Sequence, residues 1–235
     1  MQYYSHYIWE SGSEEKNNPV SVALQQVSRK TQHYLLACIC DGEMVSGYFT
    51  ERLVEWFHGQ FLQQTAKRAC SDKDICKSLE KELARIQGEL AEFCMLKNQE
   101  NSYQVWGILL WNDRAWLFQK GNAKGYLFNR RFNRRQRKGL HISPKISREI
   151  IGEASKESAL TEPLRLVPGR IQRKIGILLC TSEFGCSITE EEMIQVLFED
   201  FLDDKKIRKR LEEIRRADVD REHGSAAGAI YIRVE

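Results

Sequence analysis

YLLACICDGEMVSGYF, residues Tyr34 to Phe49, is the stretch from which the rest of the chain can be read. Its opening run, Tyr34 to Cys40, is uniformly apolar or thiol-bearing, the composition of a strand buried on both faces. Asp41-Gly42 then supplies turn chemistry. Beyond it Phe49, Leu53, Phe57 and Phe61 recur every four residues and describe one face of a helix. A buried strand that passes through Asp-Gly into a helix leaves a carboxylate at the tip of a sheet, a common place to hold a metal. One carboxylate does not hold a metal, so the question is where the partners of Asp41 lie.

Working outward, VSVALQQV (Val20 to Val27) and HYLLACIC (His33 to Cys40) are short β-rich segments separated by the polar SRKTQ, which suits an antiparallel hairpin. A second helix is expected from Asp72 to Lys97, with Ile75, Leu79, Leu83, Ile86, Leu90 and Phe93 forming its core stripe. YQVWGILLW, AWLFQKG and GYLFN then predict a three-stranded meander with turns at Asn112-Asp113 and Gly121-Asn122. Between residues 140 and 170 the pattern is mixed. There SREIIGEAS reads as a short helix and VPGR (Val167 to Arg170) as a turn.

KIGILLCTS predicts another buried strand, TEEEMIQVLFEDFL a helix with a Thr cap and an acidic first turn, and AIYIRVE a closing strand. The tail DDKKIRKRLEEIRRADVDREH carries mixed charge at helical spacing and reads as a solvated helix. Strands, two helices, strands, helices and a last strand predict one α+β domain over residues 1–235. Its expected architecture is two antiparallel sheets packed as a sandwich with helices on the outer faces.

Composition narrows the function classes. With 42% hydrophobic and 29% charged residues, the 235-residue chain can bury one substantial core, and a net charge of +3 does not by itself argue for nucleic acid. No apolar run approaches the roughly 18 residues of a membrane span, and the first residues lack a signal-peptide layout, so a cytoplasmic protein is expected. The seven cysteines show no metal-site spacing; Cys38 and Cys180 sit in apolar runs and read as buried, reduced thiols. The five histidines share no spacing, and Trp56, Trp106, Trp111 and Trp116 read as core residues. No phosphate-binding Gly-rich loop and no Ser-His-Asp or Cys-His arrangement is visible.

Punctuated segments in a particular order carry a resemblance. GSEEKNNP (Gly12 to Pro19), CDGEMVSGYFTERLVEWF, WNDRAWLFQKGNAKGYLF, ILLCTSEFGCSITEEEM and GSAAGAIYIRVE fall in the order of the motifs of the metal-dependent PPM-type (type 2C) protein serine/threonine phosphatases. The chain resembles the compact bacterial members over nearly its whole length. The resemblance implies a four-layer αββα fold. It also implies a site in which aspartates at several strand ends hold two Mn or Mg ions and activate a water for attack on a phosphoester.

The same comparison puts most of that chemistry in doubt. The family's first acidic pair falls on Asn18 and Pro19, and its phosphate-gripping arginine on Glu14. Its Gly-Asp-Ser-Arg reads Gly121-Asn122-Ala123-Lys124, its later metal aspartate falls on Ser182 with Glu183 for the following glycine, and its final Asp-Asn is Ala227-Gly228. Asp41 and the backbone of Gly42 are what remains, followed by a shortened turn, EMVS. A lone carboxylate does not hold two dications about 4 Å apart against their repulsion. Glu43 and Glu183 are the nearby acids, each one or two positions out of register; a one-residue offset on a strand points a side chain to the opposite face, an argument that weakens at a loop tip.

Three readings therefore stand. The first is a pseudophosphatase without a cofactor that binds a protein partner, such as a kinase or phosphoprotein. The second is an active phosphatase with an unorthodox Mn or Mg site made by Asp41, Glu43 and Glu183. The third rests on RRFNRRQRK, where Arg130, Arg131, Arg134, Arg135, Arg137 and Lys138 form a basic cluster able to meet phosphopeptide, nucleic acid or an anionic surface. Its plain counterpart is a solvated loop.

Overall fold

The computed structural model describes residues 2–10, 20–42, 45–66, 70–98, 103–121, 124–129, 164–171, 175–185, 189, 203–220 and 227–235. Among them are nine strands, β1 (Tyr3–Glu10), β2 (Val20–Arg29), β3 (Gln32–Asp41), β4 (Gln104–Trp111), β5 (Arg114–Lys120), β6 (Lys124–Asn129), β7 (Arg165–Arg170), β8 (Ile175–Cys180) and β9 (Ala227–Val234). They form two antiparallel sheets. One has the order β1-β9-β8-β6 and the other β2-β3-β4-β5-β7.

Three cores define four layers. Leu35, Ile39, Ile108, Ile177 and Ile230 pack between the sheets. α1 (Ser46–Trp56) and α3 (Asp72–Lys97) bury Phe49, Leu53, Leu79 and Ile86 against the five-stranded sheet. α4 (Asp204–Asp220) places Ile207, Leu211 and Ile214 on the four-stranded sheet. The β2–β3 hairpin, the 72–97 helix and the sandwich follow the sequence reading, the first two from local composition and period and the third from the order of the elements.

After α1 the chain makes a π-helical turn, Phe57–Phe61, and continues as α2 (Leu62–Thr65). An α-helix drifts about 40° over every four residues; the wider turn cancels part of that drift and keeps Phe57 and Phe61 stacked at 5.4 Å on the buried side. α3 begins with a reciprocal cap between Ser71 and Asp74 and ends at Asn98 in the left-handed conformation. Its stripe closes on Cys94, 2% exposed, and not on Phe93, 37% exposed.

Four further expectations are corrected. GYLFN does not extend a meander: β6 leaves β5 and pairs with β8 in the other sheet. Gly125 makes that crossing possible, since a Cβ there would sit 2.4 Å from the Trp106 indole. VPGR is not a turn but part of β7, where exposed Pro168 and Gly169 are tolerated on a sheet edge. The tail helix is not solvated all round, because Ile207, Leu211 and Ile214, at spacings of four and three, are buried. Finally, β1, unmarked in the sequence, pairs with β9, and Gln2 and Glu235 exchange backbone hydrogen bonds of 2.7 and 2.9 Å. The segment SREIIGEAS and, apart from Thr189, TEEEMIQVLFEDFL lie outside the described residues.

Candidate functional site

The ends of β3, β8 and β9 meet at one rim of the sandwich. Within the five-stranded sheet Asp41 stands opposite Val20 on one side and Gln104 on the other. From the four-stranded sheet comes the turn Thr181 to Gly185, tied to the start of β9: the Thr181 N–H donates to the Gly228 carbonyl at 3.1 Å, and the Gly228 N–H donates to Thr181 Oγ1 at 3.2 Å. Buried Phe184 anchors the turn, its N–H donating to the Thr181 carbonyl at 3.3 Å. Ser182 and Glu183 are thereby held, half-buried, at its tip.

This turn brings Glu183 into electrostatic contact with Asp41 across the two sheets. Partial burial, and then the like charge of Glu183, push the Asp41 carboxyl up from an ordinary 3.8 to about 6. Glu183 lies in a turn beyond β8, where the face alternation of strands does not apply.

Gly42 does two things. A Cβ on it would lie 2.5 Å from Tyr103 Cβ and 2.9 Å from Val45 Cγ2, so the close approach of these residues requires glycine. Its carbonyl accepts from the N–H groups of Val45 at 3.3 Å and Ser46 at 3.1 Å, which starts α1. Ala227 and Gly228, buried at the start of β9, offer no side-chain ligand.

Two polar atoms on the inter-sheet side escaped the sequence reading. Gln104 Oε1 and Trp106 Nε1 are buried without a hydrogen-bond partner among the described residues. Both belong to β4, and Gln104 shares its register position with Asp41. Only pairing register singles out Gln104; nothing local in YQVW does so. On the opposite side of the same sheet edge lies a second missed group: Lys120, 7% exposed, holds its ammonium 3.8 Å from the Tyr103 ring centroid. Burial draws its pKa down, while the nearby Cys40 and Cys94 thiols act in the other direction.

Glu14, Asn18, Pro19, Glu43, Asn122 and the basic cluster Arg130 to Lys138 lie outside the described residues. Of Lys124 only the backbone is described, paired with Cys180. Among the described residues no three His, Cys, Asp or Glu side chains converge on a point that would hold a metal ion. Asp41 and Glu183 with the Gln104 amide oxygen are fewer and less charged ligands than two octahedral dications require. The described residues do not fit the two-metal centre that the fold implies.

No family model matches the chain, and no curated protein does. Solved structures match over its full length. PppA, described as a key regulatory component of T6SS in Pseudomonas aeruginosa, is 13% identical with a TM-score of 0.65, covering 100% of this chain and 99% of that one. The catalytic domain of the serine/threonine phosphatase PstP in complex with two manganese ions is 15% identical with a TM-score of 0.62, covering 99% and 98%. The S. agalactiae serine/threonine phosphatase is 10% identical with a TM-score of 0.68, covering 100% of both chains. The chain has the fold of the bacterial metal-dependent serine/threonine phosphatases. No helix among the described residues is long and apolar enough to cross a membrane.

Proposed function

We propose that this domain is a pseudophosphatase: a phosphatase-like fold that binds a protein partner, a kinase or a phosphoprotein, without hydrolysing phosphoesters. The observation that carries this reading is the make-up of the rim. Where the family motifs call for converging carboxylates, Ser182 and Gly228 stand at the ends of β8 and β9, and Asp41 and Glu183 are the acids near one another. A binding or regulatory role also accords with the regulatory description attached to PppA.

A second reading has one observation in its favour. Because Glu183 lies near enough to Asp41 for its charge to be felt there, two carboxylates are available, and Glu43 would complete an unorthodox Mn or Mg site for an active phosphatase. One experiment separates the two. Hydrolysis of an aryl phosphate in the presence of Mn is expected to stay at background, and calorimetric titration is expected to show no pair of tight Mn sites. Turnover above background that disappears in Asp41→Ala would overturn the pseudophosphatase reading and establish the second.

A further inference from the structure

The five-stranded sheet ends in two edges of different character. β7 is guarded by Pro168 and Gly169, residues that discourage pairing with another strand. β2, at the other edge, contains neither proline nor glycine, and its first charged residue is Arg29 at its very end. Beyond its ladder with β3, no backbone hydrogen bond engages Ser21 to Arg29 among the described residues. Alternate N–H and C=O groups along this edge therefore face outward without partners among the described residues.

Beside that edge, between β2 and α1, runs an open groove of about 410 Å³. Its β2 wall includes Ser21, Ala23 and Gln25, and its α1 wall Gly47, Thr50 and Glu51. Ser21 Oγ and Thr50 Oγ1, 2.7 Å apart, tie the two walls together, and the Gln25 amide oxygen contacts His58 Nε2 at 3.1 Å at the far end. Gly47 keeps the groove clear, since a Cβ there would meet nothing within 4 Å. The charge along it is acidic: Glu55 is paired with Arg52 at 2.7 Å, whereas Glu51 makes no ion pair among the described residues.

We infer that the β2 edge and its groove form a docking surface for an extended, positively charged segment of a partner protein, added as a sixth strand to the five-stranded sheet. The free ladder groups demand an extended backbone. Alternate side chains of the added strand enter the groove over Ala23, and a lysine or arginine among them meets Glu51. The inference rests on the reading of the domain as a binding module.

The test uses a library of random dodecapeptides displayed on phage and panned against the full 235-residue chain. Enriched peptides are expected to alternate small or apolar residues with Lys or Arg and to lack proline. A synthetic copy should slow amide exchange at Ser21 to Gln25 and should lose binding when its alternate amides are N-methylated. Gly47→Leu fills the groove and, lacking the conformational cost of glycine in a helix, keeps the fold, as thermal unfolding will confirm. It should weaken binding by about tenfold or more, and Glu51→Lys by roughly threefold to tenfold. No enrichment, or peptides that bind Gly47→Leu as tightly as the native chain, would overturn the docking surface while leaving the hydrolysis result untouched. Conversely, metal-dependent turnover would overturn the pseudophosphatase reading and leave the groove standing.

Discussion

Cys40 and Asp41 are consecutive residues of β3 and face opposite sides of the same sheet. On the helix side Cys40 is fully buried, and Lys120 stands two strands away at the same level, through Val105, under the Tyr103 ring. On the inter-sheet side Asp41 meets Gln104 and, from the other sheet, Glu183. Burial opposes the charged form on both sides, so the acid is raised to about 6 and the base is lowered from 10.5. The sides differ in closure. Tyr103 and the helices seal the lysine side, where Lys120 is 7% exposed, whereas Asp41 and Glu183 are only half-buried.

The largest effect is expected where the two sides are joined. Gly42→Ala would drive a methyl into Tyr103 and Val45 and should cost about 2–3 kcal/mol, seen as a lower midpoint in urea unfolding with little change in slope. A neutral outcome would mean that Tyr103 does not close the lysine side. The acid side is probed by Asp41→Asn. Because the folded carboxyl is raised, the native chain is favoured below about pH 4 and loses that advantage as pH rises through about 6. The variant should therefore match the native chain near pH 4 and be more stable by about 1–2 kcal/mol at pH 8, an amount reduced for partial exposure. Thermal unfolding as a function of pH checks this, and a variant less stable at pH 8 would show that Asp41 has a cationic partner.

The smallest effect belongs to the lysine side. A base with a lowered pKa burdens folding at neutral pH, and the burden lifts only as pH climbs toward 10.5. Lys120→Met keeps the volume and discards the charge, so its stability at pH 7 should lie within about 1 kcal/mol of the native chain or above it. A loss several times larger would mean that the contact with Tyr103 is worth more than the burial of the charge costs.

Legibility followed the range of the interactions. Strands and helices announced by local periodicity, such as β3 and α3, stood in the sequence with nearly correct bounds. β1 and β7 did not, and β6 was legible as a strand but not in its pairing, because their places depend on partners far along the chain: Val234 for Tyr3, Trp116 for Pro168, Cys180 for Lys124. Asp41 was visible as a strand-end acid. Gln104 and Lys120 were not, since a lone amide or lysine acquires meaning only from the residue opposite it and the ring above it.

What the sequence alone determined is the two-sheet sandwich with outer helices, which follows from residue type and from the order of its elements. What the tertiary structure decided is which groups face one another across the two sheets. Glu183 reaches Asp41 from a turn, the Gly42 carbonyl is taken by α1, and the edge of β2 is left open beside an acidic groove. Those outcomes depend on pairing register and on where loops return, which are settled only when all the strands have found their partners.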